Sequence, residues 1–485
     1  MATAFHDRER EQGEIRRLIR SPHAELVIVY GRRGVGKSRL LEETVAGGRR
    51  VRYVATERVL PLQLDDMARA LNEFAPGTVA GALRSVDAFF DAVARLAHNA
   101  GRRTFVLVLD EFPYLARVDA GLLTAVQKWW NERKRAGAAT LKVFLAGSNV
   151  SWMEREALSE TAPLYSVRTA NLRVDPLTYR DAARFYPRFA VTDRVRAWSV
   201  WGGMPAYLEQ IEPRRSFWSN LERTTLVPSA RLFLEPDWLK YTDLRADLLY
   251  SSIVRVVAQG ERRPSKIATA VGRDSANEIL SHLDRLRESG VIARVTPLTA
   301  TGEGPRQAAR YVVADPFLAY WYRFIDPHRS ILEIGARSSL LRSMRTDADR
   351  GLDKYVSEQA FEEICRQFLL DALARRRLPR ALRFSRVGAW WNTREREEQD
   401  EADVVAFADG RLVAIGECKW TASPADERDL DGLGKILREA ADQLRPSASV
   451  YRMIFSRSGF AAALRRRAAR PNERVLLFGP ANLYA

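Results

Sequence analysis

The sequence predicts an α/β fold built on a parallel sheet, and three apolar runs carry that prediction. Leu26-Val27-Ile28-Val29-Tyr30 is rich in β-branched residues and leads into Gly31-Arg32-Arg33-Gly34-Val35-Gly36-Lys37-Ser38. Thr104 to Leu109 closes on Asp110-Glu111, and Leu141 to Gly147 delivers Ser148 and Asn149. Uninterrupted apolar runs of strand length, separated by segments long enough for a helix, are what a sheet covered on both faces needs.

The loop after the first run fits the spacing G-x-x-x-x-G-K-[ST] in full, and Arg39-Leu40-Leu41-Glu42-Glu43 behind it reads as a helix. A strand, a glycine-rich turn and a helix N-terminus aim consecutive backbone N–H groups at one anion. The pattern assigns the turn to Gly31, Gly34 and Gly36, the β- and γ-phosphates of ATP to Lys37, and Mg2+ to the Ser38 hydroxyl. At the end of the second run, Asp110 is placed to orient the metal and Glu111 to polarise an attacking water as general base.

With 485 residues the chain exceeds one ordinary domain of ~100 to 200 residues, and three or four packed units are expected. Hydrophobic and charged fractions of 46% and 28% exclude disordered and fibrous classes. The net charge of +16 is spread along the chain rather than gathered in one patch. A diffuse positive field draws polyanions, so nucleic acid, DNA ahead of RNA, is the expected macromolecular partner. Only nine of the 77 basic residues are Lys. A Lys placed where phosphate or metal chemistry wants an ammonium therefore carries weight. No stretch approaches ~18 uncharged apolar residues, and the N-terminal MATAFHDREREQGE lacks the regions of a secretory signal. No membrane partner and a cytoplasmic location are the expectation. Two Cys, Cys365 and Cys418, and five His are poor material for a disulfide scaffold or a zinc site, which leaves carboxylates for any metal.

Between 245 and 313 the pattern changes to three short helices and a β pair. Leu248 to Val257 is apolar at helical spacing, Pro264 to Val271 is opened by Pro and stopped by Gly272, and Ser275-Ala276-Asn277-Glu278 is a capping box. In the third helix Ala276, Ile279, Leu280, Leu283 and Leu286 are expected on one buried face. Strands at Val291 to Val295 and Arg310 to Val313 complete the order of a winged helix-turn-helix. Its outward face mixes Asn277, Ser281, His282 and Arg285 with Glu278, Asp284 and Glu288, which suits a structural role as well as DNA contact.

Beyond Gly351, Glu401 to Lys419 reads as two apolar runs joined at Asp409-Gly410, a hairpin whose second strand closes on Glu417-Cys418-Lys419. The two-residue period puts Glu417 and Lys419 on one face. A two-residue loop would pair Asp403 with Gly416 and turn its carboxylate away from Glu417. A three-residue loop, Ala408-Asp409-Gly410, pairs Asp403 with Ile415 and brings the carboxylates together. The burial pattern leaves both registers open, and the second is expected on chemical grounds.

Residues 5 to 240 resemble the archaeal-type P-loop ATPases of the AAA+/STAND group. The resemblance rests on Phe5-His6-Asp7-Arg8-Glu9, the glycine-rich loop, Asp110-Glu111-Phe112-Pro113-Tyr114-Leu115, Gly147-Ser148, Leu164-Tyr165-Ser166-Val167-Arg168 and Gly202-Gly203-Met204-Pro205. It implies that Arg8 lies near the adenine pocket, that Ser148 and Asn149 sense the γ-phosphate, and that Gly203 and Pro205 close a helical lid. It also offers Arg168 as an arginine finger completed in a homo-oligomer, although this chain has one residue more than the family's L-Y-G-R.

The C-terminal third resembles the PD-(D/E)xK nuclease superfamily through Asp403, Glu417 and Lys419, with Ala389-Trp390-Trp391 and Phe361-Glu362 in support. That resemblance implies Asp403 and Glu417 as Mg2+ ligands, Lys419 as the cation beside the attacking hydroxide, and Glu362 as a further acid, with Glu363 and Glu358 as alternatives. The expected organisation is an ATPase core at 1–185, a helical lid at 186–240, the winged helix at 241–315, a connector at 316–352 and a restriction-endonuclease-like α/β domain at 353–485. The expected function is ATP-driven nucleic-acid processing in which nucleotide state gates a metal-dependent phosphodiesterase. The alternative is a nucleotide-dependent switch whose nuclease-like domain is silent.

Overall fold

Each of the three apolar runs becomes a strand that helices cover, so its side chains leave water on both faces. In the computed structural model the chain divides into two units, Met1–Pro176 and Leu177–Ala485. The structure describes all residues except 1–7, 46–48, 139, 237–247, 305–307 and 393–399. Among the described residues no helix is long and apolar enough to cross a membrane.

The first unit holds β1 (Glu25–Tyr30), β2 (Arg49–Val54), β3 (Phe105–Asp110), β4 (Leu141–Gly147) and β5 (Ala170–Arg173) in the order β2-β3-β4-β1-β5. All pairs are parallel. Every residue of β3 and β4 is buried. The main helices are α1 (Glu9–Arg20), α2 (Lys37–Val45), α3 (Leu60–Phe74), α4 (Val86–Asn99), α5 (Phe112–Val118) and α6 (Leu122–Arg135). Phe89, Phe105, Trp130 and Leu145 sit in one continuous core with Leu26 and Ile28 of β1. Because β4 lies between β1 and β3, the loop after β4 falls between the glycine-rich loop and Asp110-Glu111. That topology positions the first site.

Gly31 illustrates how tightly the loop is held. A Cβ there would meet the Val174 carbonyl oxygen at 2.2 Å, so no larger residue fits without moving backbone. Gly34 and Gly36 have φ of 82° and 94°, which side-chain-bearing residues rarely adopt.

In the second unit α7 (Val191–Trp201) and shorter helices that include Phe217–Thr225 precede α8 (Leu248–Ala258), α9 (Pro264–Ala270) and α10 (Asn277–Glu288), which lead to antiparallel β6 (Ile292–Val295) and β9 (Arg310–Val313). Between them lies the two-stranded pair β7 (Leu298–Thr299) and β8 (Gly302–Glu303). This is the helix and strand order of a winged helix. Glu278 reaches back to the Ser275 backbone N–H at 3.0 Å, one half of the expected capping box. The inner face of α10 is Ile279, Leu283 and Leu286, whereas Leu280, expected inside, is 41% exposed because it lies off that stripe. In the segment read as a connector, Trp321, Tyr322 and Phe324 are buried, and the Trp321 indole N–H donates to the Phe233 carbonyl at 3.0 Å.

The C-terminal sheet runs β10 (Arg386–Trp391), β11 (Glu401–Ala408), β12 (Arg411–Lys419), β13 (Pro446–Ser456) and β14 (Val475–Phe478), in chain order. The first three strands are antiparallel and the last three parallel. Flanking helices are α11 (Glu362–Ala374) and α12 (Glu427–Glu439).

The expected three-residue loop does not form. Ala408 pairs with Arg411, and Asp409 and Gly410 alone make the turn with φ of 49° and 72°. Two successive left-handed residues match the twist of a hairpin, the geometry for which Asp-Gly is suited. The register then shifts by one between Ala406 and Phe407, because Val413 is an extra residue on β12, and Val404 pairs with Gly416. Continued by one position outward, that register brings Asp403 beside Glu417. The carboxylates share a face after all, through a bulge rather than a longer loop.

Candidate functional site

The first candidate site gathers at the C-terminal ends of β1, β4 and β3. Lys37, only 4% exposed, is the first residue of α2, and its ammonium donates to the Gly31 carbonyl at 2.7 Å and to the Ser148 hydroxyl oxygen at 2.8 Å. Ser148 in turn donates to Glu111 Oε1 at 2.5 Å. Lys37, Ser148 and Glu111 thus form one chain of hydrogen bonds across three strand ends. Burial pulls the Lys37 pKa down to about 8, against the opposing pull of Glu111 and Asp110. The ammonium spends its donors on neutral carbonyl and hydroxyl partners that phosphate oxygens can replace.

Glu111 has φ of 52°, a left-handed conformation that costs a bulky residue roughly 1 kcal/mol or more. Asp110 is 1% exposed. Its Oδ1 accepts the Glu111 backbone N–H at 3.0 Å and its Oδ2 accepts Arg52 Nη2 at 3.0 Å. The half-buried Ser38 lies one residue into α2. A hydroxyl and a buried carboxylate are hard oxygen donors suited to Mg2+. The carboxylate already holds one cationic group, so the pair fits the metal.

Arg8 stands at the head of α1 and donates to the Val35 carbonyl of the glycine-rich loop at 2.9 Å while pairing with Glu11 at 3.2 Å. The contact with the Val35 carbonyl ties the start of α1 to the glycine-rich loop. The Phe5, His6 and Asp7 part of its motif lies outside the described residues. The Asn149 side chain accepts from the Trp152 N–H at 3.0 Å and caps a helical turn, so Ser148 rather than Asn149 faces Lys37. The Arg168 guanidinium lies 4.3 Å from the centroid of the Tyr165 ring and has one buried nitrogen without a hydrogen bond.

The second candidate site lies on the C-terminal sheet. Asp403 Oδ2 accepts the Cys418 N–H at 2.7 Å, and Lys419 donates to Glu417 Oε1 at 2.8 Å and approaches Asp429 at 3.4 Å. Burial pushes Asp403 well above the usual carboxylate range, and Glu362 and Glu417 push it further. Burial also raises Glu417, partly offset by Lys419, and raises Glu362. Of the alternatives to Glu362, Glu358 pairs with Lys354 at 3.3 Å and Arg323 at 3.5 Å, and Glu363 pairs with Arg366 at 3.2 Å.

Among the described residues no three His, Cys, Asp or Glu side chains are placed to hold a metal ion. The expected trio of Glu362, Asp403 and Glu417 is therefore not a ready-made cage. Mg2+ commonly takes one or two carboxylates and completes its shell with water and substrate phosphate. Asp403 and Glu417 fit that mode, with Glu362 acting through its charge.

Three participants were not read from the sequence. Arg52 is one of several Arg in β2, and only the β2–β3 pairing brings it to Asp110. Arg366, four residues beyond Glu362, donates to the Asp403 backbone carbonyl at 2.8 Å, and the four-residue spacing on a helix was its only signal. Asp353 accepts from Arg196 at 2.9 Å, Arg457 at 2.7 Å and the Trp420 indole at 3.1 Å, which ties α7 to the ends of β12 and β13.

Residues 5–211 match an ATPase domain found predominantly in Archaea, and residues 321–430 match a family of archaeal and bacterial proteins of unknown function. The chain is 26% identical over 436 residues, 90% of each protein, to the uncharacterized protein MJECL04 of Methanocaldococcus jannaschii. Its fold is similar to the Walker-type ATPase Paby2304 of Pyrococcus abyssi, with a TM-score of 0.50 and 19% identity over 66% of this chain and 96% of that one. The ORC2 protein of Aeropyrum pernix gives a TM-score of 0.40 and 13% identity over 72% of this chain and 98% of its own.

Proposed function

We propose that this chain, whose residues 5–211 match an ATPase domain found predominantly in Archaea, is an ATP-driven nucleic-acid-processing protein in which nucleotide state gates a metal-dependent phosphodiesterase on the C-terminal sheet. The match to the ATPase domain supports ATP binding and hydrolysis. In this reading the glycine-rich loop and Lys37 hold the phosphates, Ser38 and Asp110 hold Mg2+, Glu111 takes the water's proton, and Ser148 reports on the γ-phosphate through its link to both Lys37 and Glu111.

One observation carries the phosphodiesterase part. The bulge at Val413 sets Val404 opposite Gly416, a register that, continued by one residue, brings Asp403 beside Glu417, with Lys419 two residues further along β12. A divalent ion there would polarise a phosphodiester and lower the pKa of a bound water. Lys419, protonated and partnered with Glu417 and Asp429, is positioned to neutralise negative charge as it develops.

The same pairing of Lys419 favours a second reading, a nucleotide-dependent switch in which the C-terminal domain only binds. Plasmid nicking with Mg2+ or Mn2+, with and without ATP, separates the two. Cleavage by the wild type that is lost in Asp403→Asn and Lys419→Ala supports the enzyme, whereas nucleic-acid binding without cleavage under every condition supports the switch. An Arg168→Ala variant tests the trans finger: a specific ATPase rate that rises with protein concentration in the wild type and not in the variant supports it.

A further inference from the structure

The C-terminal end of α11 opens onto a cleft of about 530 Å3 lined by Leu373, Ala374, Arg376, Leu378, Arg380 and Arg383. Half of these residues are Arg and none is acidic. Among the described residues, the Arg376, Arg380 and Arg383 guanidiniums have no ion-pair, hydrogen-bond or ring partner. The neighbouring arginines differ: Arg375 pairs with Asp371 at 2.6 Å, and Arg377 donates to the Ala485 carbonyl. The run of five Arg between 375 and 383 therefore divides into two that serve the fold and three turned to one cleft.

Backbone geometry supplies an independent sign. The helix ends in a pair of closing bonds, Arg377 N–H to the Ala372 carbonyl at 2.8 Å and Arg376 N–H to the Leu373 carbonyl at 3.1 Å. Arg376 takes φ of 57° between them. That left-handed position is the one glycine fills most cheaply. An Arg there forgoes the cheaper residue, which makes sense if its side chain is wanted.

We propose that Arg376, Arg380 and Arg383 form a seat for the phosphodiester backbone of a nucleic acid, feeding the strand toward the Asp403 and Glu417 face. The proposal rests on the nucleic-acid reading above and names the contact surface for it. A planar guanidinium matches phosphate oxygens in pairs. Three of them outweigh the roughly half negative charge at a helix C-terminus. The apolar surface of Leu373 and Leu378 gives sugars or bases a dry wall. Glu362, whose charge acts on Asp403, begins the same helix, and the 12 residue steps to Ala374 span about 18 Å. That is about five steps of a nucleic-acid strand at 3.4 Å each, so one strand lying along α11 would reach from the seat to the carboxylates.

The test measures binding of the full chain to single-stranded DNA, duplex DNA and RNA of equal length over a range of salt concentrations. The triple variant Arg376→Gln, Arg380→Gln, Arg383→Gln is compared with a control of equal charge change, Arg342→Gln, Arg350→Gln, Arg466→Gln, at exposed positions elsewhere in the second unit. The seat predicts a loss of tenfold or more in the first triple, with the slope of log affinity against log salt shallower by about 2 to 3, and less than about twofold loss in the control. Arg376→Gly should bind more weakly while melting no lower than wild type, which excludes misfolding as the cause. Equal losses in the two triples would mean a diffuse field and overturn the seat, as would unchanged binding in the first. Competition by polyglutamate as effective as by nucleic acid would reassign the cleft to an acidic protein partner. Failure of the wild type to bind any of the three nucleic acids at low salt would overturn the nucleic-acid reading itself.

Discussion

Arg52 donates to the Asp110 carboxylate at 3.0 Å across the β2–β3 pair, so a protein cation holds the acid that a nucleotide's metal would need. The same guanidinium also meets Glu42 on α2. Coordination of a metal by Asp110 would therefore have to loosen its contact with Arg52. Removing the competitor should make the metal easier to bind. Arg52→Gln is expected to lower the Mg2+ concentration at which ATP binding is half complete by roughly three- to tenfold, since a hydrogen bond to a charged group contributes about 1.5 kcal/mol or somewhat less when half exposed. Titration of a fluorescent ATP analogue with Mg2+ reads this directly, and an unchanged midpoint would remove the competition.

Lys37 and Glu111 should separate in their effects. In the proposed role Lys37→Ala would remove a phosphate contact, and it is expected to weaken ATP binding by about tenfold or more. Glu111→Gln preserves shape and the acceptor for Ser148, so binding should change by less than about threefold while turnover falls by about 100-fold or more. Equal loss of affinity in the two variants would contradict the roles given to them.

The lowered pKa of Lys37 sets a pH dependence for binding. Below its value of about 8 the free site already carries the ammonium. Above it, phosphate binding must first recover a proton, so ATP affinity should be level up to about pH 7.5 and then fall by up to about tenfold per pH unit. Calorimetry in buffers of different ionisation enthalpy should show proton uptake on ATP binding at pH 8.5 and little at pH 7. Proton release would give the opposite sign and exclude this account.

The carboxylates of the C-terminal sheet act on stability in the same quantitative way. Asp403 and Glu417 have raised pKa values, so the folded state holds their protons more tightly than the unfolded chain. Their penalty is absent below the unfolded carboxylate range, grows as pH rises through it, and is complete above the folded values. Asp403→Asn, which keeps an acceptor for the Cys418 N–H, should therefore raise the melting temperature at pH 7, by about 1 kcal/mol of stability, and should do so less at pH 4. Mg2+ or Mn2+ should stabilise the wild type more than the variant. A variant less stable than wild type at pH 7 would argue against the strained pair.

Gly31 and Gly13 provide a contrast in packing. Gly31→Ala drives a methyl to 2.2 Å from the Val174 carbonyl, whereas Gly13, within α1, has nothing within 4 Å of an added Cβ. The first substitution should cost about 3 kcal/mol and disturb nucleotide binding, and the second should stabilise by about 0.5 to 1 kcal/mol. Denaturant unfolding of the two variants measures both.

The sequence by itself determined the elements of the first site, because they are local. A strand, a glycine-rich turn and a helix start are contiguous, and an apolar run ending in Asp110-Glu111 is contiguous too, so hydrophobic pattern and turn chemistry suffice to place Lys37, Ser38, Asp110 and Glu111 at strand or helix ends. Its C-terminal hairpin was local as well, and Asp409-Gly410 marked the turn. What only the tertiary structure decided were relations across strands. The bulge at Val413 is one extra residue in an evenly apolar strand, invisible to a period-two pattern, yet it alone turns Asp403 toward Glu417. The contact of Arg52 with Asp110 and that of Ser148 with both Lys37 and Glu111 depend on the order β2-β3-β4-β1, which no single segment encodes. Side chains far apart in the chain meet through register and strand order, and these are set by how the whole sheet buries its two faces.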